Sequence, residues 1–256
     1  MGMVSSMNDK VTGIILKQSD YKDHSVLLSV LTREYGKVSF VASGARKITS
    51  KNAMNILPYT KSEFVFDYKE GKTIFRLKSA TTIQLHRGLH EDLMRSSIAA
   101  ILSEIADVFT YQSDDYGLAQ RLYDLLDQGL TMLETETNSQ LVLALFLSEV
   151  ASLGGVSPNV DECVICGSTK VVGISVADGG FVCERCLPST QATRYTPEQL
   201  KQFRLLTKAK LEHYSIVLEL VDNCMHDIQL FVDFLETFFG IKIRAFPFYK
   251  RLLTIE

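Results

Sequence analysis

The sequence predicts an α+β protein: a small β-barrel over residues 1–86, then a mainly helical domain over residues 87–256 with a four-cysteine insert at 163–186. Three observations predict it. Strand-like runs separated by glycine turns fill the first 86 residues, apolar residues adopt a helical period from Asp92, and two C-x2-C pairs interrupt that period.

Val11–Leu16, Ser25–Leu31, Lys37–Ala42, Phe64–Tyr68 and Thr73–Leu77 are rich in Val, Ile, Phe and Leu, which suit a half-buried pleated surface. Tyr35-Gly36-Lys37 and Glu70-Gly71-Lys72 are turn signals, and the last two runs flank a short Gly-containing loop as a hairpin does. Five such strands suit a closed or half-closed barrel, because closure removes exposed edges. Ala45–Tyr59 lacks alternation and reads as a long loop.

From Asp92, Leu93, Met94, Ile98, Ile101, Leu102, Ile105, Val108 and Phe109 recur at helical spacing. Leu118, Leu122, Leu125, Leu126 and Leu133 form a second stripe, and Leu141, Leu145, Phe146 and Val150 a third. Gly154-Gly155 stops the third helix and Pro158 bars resumption. After the insert, Thr196-Pro197-Glu198-Gln199 is a helix-start signature. A last helix around Asp227–Phe239 ends at Gly240.

Apolar residues make up 46% and charged residues 22% of the chain, which excludes a disordered or collagen-like polymer. No apolar run approaches the roughly 18–20 residues of a membrane span. Met1–Met7 lacks the apolar centre of a secretory signal. With five cysteines and no export signal, the expected location is the cytoplasm, with no membrane partner. The sequence has no P-loop, no G-x-G-x-x-G, no G-x-S-x-G and no H-E-x-x-H. His86 and His90 stand four apart without a matching carboxylate pattern and are read as core or surface residues. Nothing points to catalysis, so the expectation is a binding protein and not an enzyme.

The sharpest motif is Cys163-x2-Cys166-x16-Cys183-x2-Cys186, a spacing expected of a tetrahedral zinc site. A tight knuckle aims two sulfurs at one ion, and Gly167 relieves the backbone past the second ligand. Lys170–Val176, the turn Ala177-Asp178-Gly179-Gly180, and Phe181-Val182 read as the hairpin that joins the pairs. Four thiolates leave no open position, so the expected cofactor is one structural Zn2+. A disulfide, an iron–sulfur cluster and a redox dithiol are the alternatives; the two separated pairs favour zinc. Cys224 is read as a small hydrophobe near a helix start.

Charge is uneven. Residues 1–86 carry +6, residues 87–160 carry −8 and residues 161–256 carry −1, within a net charge of −3. A basic barrel suggests single-stranded nucleic acid. Lys17, Lys22, Arg33, Lys37, Arg46, Lys47 and Lys51 are interleaved with Tyr21, Tyr35, Phe40 and Tyr59. Phe40 lies in an apolar strand and is read as core. Arg46-Lys47, adjacent cations in a loop, are candidate phosphate contacts. The acidic helices are expected to be repelled by DNA and to meet proteins on a separate surface.

Gly13–Leu16, Ser19-Asp20-Tyr21, Val26–Lys37 and Ala42-Ser43-Gly44-Ala45-Arg46-Lys47 resemble the opening of the RecO family of bacterial recombination mediators. The order that follows, helices, a four-cysteine insert and more helices, is also similar to that family. The complete cysteine set resembles its zinc-bearing branch. The resemblance implies an OB-fold at the N-terminus and a helical, zinc-containing C-terminal domain. It implies binding and annealing of DNA strands in DNA repair, and help to RecA in displacing single-strand-binding protein (SSB). Implied partners are single- and double-stranded DNA, RecR and the acidic SSB C-terminal tail, with RecA reached indirectly and location at the nucleoid. Arg33, Lys37, Arg46 and Lys47 fall in the matched segment as expected DNA contacts; Lys17 and Lys51 are added from charge and loop placement. The tail's seat should be an apolar groove beside a cation, and no segment of the sequence marks it. A competing reading is a zinc-containing protein-interaction or transcription-associated factor that never holds DNA.

Overall fold

The computed structural model describes residues 9–22, 24–46, 54–69, 71–112 and 116–254. Lys47 and Lys51 lie outside the described residues. Strands β1 (Asp9–Tyr21), β2 (Ser25–Thr32), β3 (Gly36–Ala42), β4 (Lys61–Phe66) and β5 (Ile74–Gln84) close into a barrel in the order β1-β2-β3-β5-β4. The β3–β5 pair is parallel and the other pairs are antiparallel. Alternation sets the inside: Val38, Phe40 and Ala42 of β3 are buried, as are Phe64 and Phe66 of β4 and Phe75 and Leu77 of β5. Phe40 is the hub, stacked on Phe64 at 5.2 Å and edge-on to Phe66 at 5.0 Å. A residue so placed is worth about 3–5 kcal/mol against alanine.

Two strands run longer than alternation suggested. β1 continues past Leu16 through Lys17–Asp20, with a register shift between Ile15 and Lys17. β5 continues past Leu77 to Gln84. Ladder hydrogen bonds to β2 and β4 hold these polar stretches extended, and periodicity does not report such bonds. Within Ala45–Tyr59, the described part contains a short 3-10 turn, Met54–Ile56, that buries Ile56 in the barrel core.

The helices are α1 (Arg87–Glu91), α2 (Leu93–Gln112), α3 (Tyr116–Thr135), α4 (Ser139–Leu153), α5 (Pro197–Lys208), α6 (Tyr214–Leu218), α7 (Met225–Phe239) and α8 (Phe246–Leu253). The first compact unit comprises the described residues up to Glu134 together with those from Arg244 onward; the second spans Thr135–Ile243. The turn from strand to helix falls near residue 86, whereas the division by packing falls after α3. In the first unit, α2 lies across β1, β2 and β3, and α8 packs on α2. α7 is therefore not the last helix. The Glu104 carboxylate accepts from the backbone N–H groups of Arg244 and Ala245 at 3.0 and 2.8 Å. That places an anion at the start of α8 from a residue 140 positions earlier, a start signal absent from local sequence.

In the second unit, α4 is buried nearly all round and is packed by α5, α6 and α7. Thr196 and Gln199 form the expected reciprocal cap of α5. Gly240, at φ 62°, closes α7. The insert folds as β6 (Val171–Ser175) and β7 (Gly180–Cys183), with β8 (Thr193–Arg194) on the other edge of β6. At Gly180, a Cβ would meet the Asn159 carbonyl oxygen at 2.2 Å, so only glycine permits this approach.

Candidate nucleic-acid interface and metal centre

The barrel cations do not all face solvent free. Lys17 Nζ and Lys37 Nζ both reach the Asp107 carboxylate of α2, at 2.7 and 2.5 Å, and Ser29 Oγ donates to it at 2.8 Å. Lys37 is largely covered there, its side chain 20% exposed, while that of Lys17 is 62% exposed. Burial pushes the Asp107 carboxyl up, but the bonds from Lys17, Lys37 and Ser29 outweigh it and hold the group below its ordinary 3.8. Arg33 pairs with Asp124 of α3 at 3.1 Å, and Lys61 with Asp127 at 2.6 Å. Arg46 pairs with Asp20 at 3.1 Å on the barrel itself. The acidic helices thus lend carboxylates to the basic barrel, so the two stretches of opposite charge meet in the fold. Opposite charges brought together by folding neutralise each other at close range, a fact that segment totals conceal.

The β2–β3 turn and the end of β4 are built otherwise. Tyr35, in the β2–β3 turn, stacks on Tyr68, just past β4, at 5.9 Å; Tyr68 stacks on the buried Phe75 at 5.6 Å. Both outer rings are substantially exposed, at 42% and 48%. Their backbones are pinned: Tyr35 N–H donates to Thr32 Oγ1 at 3.1 Å, and Tyr68 N–H donates to the Asp9 carboxylate at 3.1 Å. Lys69, Lys72 and Arg76 are exposed and carry no ion pair among the described residues. Of these five, only Tyr35 stood among the residues expected at a nucleic-acid face; Tyr68 and Lys72 were legible only as a strand end and a turn, and an aromatic just before a Gly turn was the available signal for Tyr68. Of the other aromatic candidates, Phe40 is core, Tyr59 stacks on His90 at 6.0 Å, and Tyr21 lies under Lys22 Nζ at 5.4 Å. His86 is buried and bonded through Nδ1 to Glu134 at 3.0 Å.

In the insert, the sulfurs of Cys163, Cys166, Cys183 and Cys186 all lie within 4.8 Å of one another. The Cys166 and Cys183 sulfurs are 3.6 Å apart, close to the edge of about 3.8 Å that a tetrahedron with metal–sulfur bonds of about 2.3 Å requires. Each knuckle is a tight turn: Gly167 N–H donates to the Cys163 carbonyl at 2.8 Å with Gly167 at φ 72°, and Cys186 N–H donates to the Cys183 carbonyl at 3.1 Å. The Ser168 backbone, Arg185 and the neighbouring sulfurs draw Cys166 down to about 6, whereas burial and the other thiols push Cys186 up to about 12. Four sulfurs this close cannot all ionise without a cation among them, so the set is fit to hold a metal ion. Val182, Val164, Val171 and Leu187 seal it on the apolar side. Cys224 stands apart, buried at the start of α7, and burial pushes its thiol up to about 12.

The second unit also carries two neighbouring cavities. One of about 370 Å³ is lined by Lys201, Arg204, Leu205 and Lys208. The other, about 220 Å³, is lined by Leu205, Lys208, Ala209, His213, Ile216 and Val217. Asp161 accepts from Arg204 and Lys208, both at 2.7 Å. No helix among the described residues is long and apolar enough to cross a membrane.

A closed five-stranded barrel of the OB type, followed by helices that carry a four-thiol knuckle, defines the class of protein. Family models for Recombination protein O match it in two parts, the N-terminal model over residues 7–86 and the C-terminal model over residues 90–226. The chain belongs to the RecO family, and with it to the proteins of DNA repair and recombination. Similar proteins include DNA repair protein RecO of Halalkalibacterium halodurans, 27% identical over 213 residues and 82% of each chain. That of Bacillus pumilus is 30% identical over 178 residues, 69% of this chain and 68% of its own. That of Listeria monocytogenes is 24% identical over 251 residues, 95% and 94% of the two chains.

Proposed function

We propose that this chain is a non-enzymatic recombination mediator of the cytoplasm and nucleoid. In this reading it binds and anneals single DNA strands and helps RecA load on SSB-coated DNA. The observation that carries it is the closed OB-type barrel spanned by the family's N-terminal model. The working surface is the barrel of residues 1–86, where Lys17, Arg33, Lys37, Arg46, Lys47 and Lys51 meet phosphates. Counterion release drives association with little sequence preference. Backbone contacts leave the pairing edges of the bases free, as annealing requires. Asp107 and Asp124 compete with phosphate for Lys17, Lys37 and Arg33, so binding exchanges a carboxylate for a phosphate. Cys163, Cys166, Cys183 and Cys186 hold one structural Zn2+; with all four positions filled by sulfur, the ion supports the fold and performs no step.

RecR and the acidic SSB tail are the protein partners. The tail's seat is the cavity floored by Leu205, Ala209, Ile216 and Val217, with Lys208 at its rim. Its apolar lining suits the apolar side chains of such a tail, and a tail carboxylate would exchange with Asp161 for Lys208. The deciding experiment is strand annealing by purified protein, without nucleotide, on bare and SSB-coated strands. Annealing of both supports the reading; annealing of neither overturns it. The carboxylate pairing of Lys17, Lys37 and Arg33 favours a second reading, a protein-interaction factor without DNA affinity. Capture of RecR and SSB with no retention of DNA would establish that alternative.

A further inference from the structure

We infer that the stacked pair Tyr35–Tyr68, flanked by Lys69, Lys72 and Arg76, is the seat on which unpaired bases of single-stranded DNA stack. The inference rests on the reading of the barrel as a DNA-binding module and assigns it a base-contacting site in addition to its phosphate-contacting cations. Three independent features meet here. The first is a continuous run of rings from the core to solvent: Phe40 edge-on to Phe66, Phe66 edge-on to Phe75, Phe75 stacked on Tyr68, and Tyr68 stacked on Tyr35. Two exposed tyrosines rooted in this way are rigid platforms, and bonds to Thr32 and Asp9 fix their backbones. Ordering them on binding therefore costs little entropy. The exposed Ile74 widens the apolar surface.

The second feature is charge. Residues 67–78 carry four cations against Asp67 and Glu70, a balance of +2. Lys78 is paired with Asp67, but Lys69, Lys72 and Arg76 have no ion pair among the described residues and so remain available to phosphate. The third feature is contrast. On the β1–β2–β3 side, α2 covers the sheet and Asp107 occupies Lys17 and Lys37; an incoming strand must displace that carboxylate from both lysines, whereas Lys69, Lys72 and Arg76 pair with no carboxylate among the described residues. Aromatic faces beside free cations are the pairing that single strands recognise, because every base has a π-face and every linkage a negative charge.

The chain contains no tryptophan, so Tyr68→Trp places a single reporter in the seat. Addition of oligo(dT) should quench its emission, and blunt duplex of equal length should not. Tyr35→Ala and Tyr68→Ala should each weaken single-strand affinity by about 5- to 100-fold while leaving duplex affinity within about twofold. Tyr35→Phe and Tyr68→Phe, which keep the ring, should bind as the parent does. Lys69→Ala/Lys72→Ala should lower the log–log salt slope by about 0.7 for each phosphate-binding cation removed. Wild-type protein that binds oligo(dT), with alanine variants that bind equally well and an unquenched tryptophan, would overturn the seat and leave the barrel's DNA binding intact. Wild-type protein that binds no DNA would overturn both.

Discussion

The cysteine insert and the covered side of the barrel both gather charged or ionisable groups, but they draw them from different distances along the chain. The four thiols lie within residues 163–186 on two knuckles joined by a hairpin. The barrel's partners come from far away: Lys17 and Asp107 are 90 positions apart, Arg33 and Asp124 are 91, and Lys61 and Asp127 are 66. Spacing reports a site when one short segment supplies all of it. It is silent when folding must bring the second half. An insert built on four such thiols is therefore expected to stand or fall with a bound ion, and the barrel's ion pairing depends on α2 and α3.

The largest expected effect is at the insert. Cys183→Ser, or chelation, should remove bound metal and expose residues 163–186 to limited proteolysis, since thiolate sites of this kind contribute on the order of 10 kcal/mol to local folding. Proteolysis confined to the insert sharpens the contrast with the barrel; an insert that stays protected without metal breaks it. Next comes Asp107→Ala, which strips Lys37 of a partner in a largely covered position. A loss of about 2–4 kcal/mol in denaturant unfolding is expected. In the same variant Lys17 is released, so its single-strand affinity at low salt should rise if Lys17 meets phosphate.

Acidification probes the same side. Burial holds His86 below its ordinary 6.5 despite the opposing bond and charge of Glu134. Its neutral form is the one the fold favours. Its contribution is therefore fully present above about pH 6.5 and is lost as the pH falls below that value. The depressed Asp107 contributes fully above its ordinary 3.8 and fails as the pH falls further. Stability followed by thermal melting should thus decline in two stages, and His86→Gln should abolish the first. The smallest effect is Arg33→Ala: its pair with Asp124 is half exposed on both sides, so stability should shift by less than about 1 kcal/mol. A change in the salt dependence of DNA binding without a change in stability would support the proposed phosphate contact, and no change in either would remove Arg33 from the site.

The sequence by itself determined the strands, the three long helices, the caps at Thr196 and Gly240 and the cysteine knuckles, because each depends on neighbours within a turn or a hairpin. Phe40 was legible as core from its alternating strand. Tertiary structure alone decided that β1 and β5 run on through polar residues, that Glu104 caps the start of α8, and that Tyr68 stacks on Tyr35. It also decided which barrel cations are held by carboxylates of α2 and α3. Ladder bonds, ring stacking and ion pairing act over a few ångströms of space, and no period along the chain records which distant residues will share those ångströms.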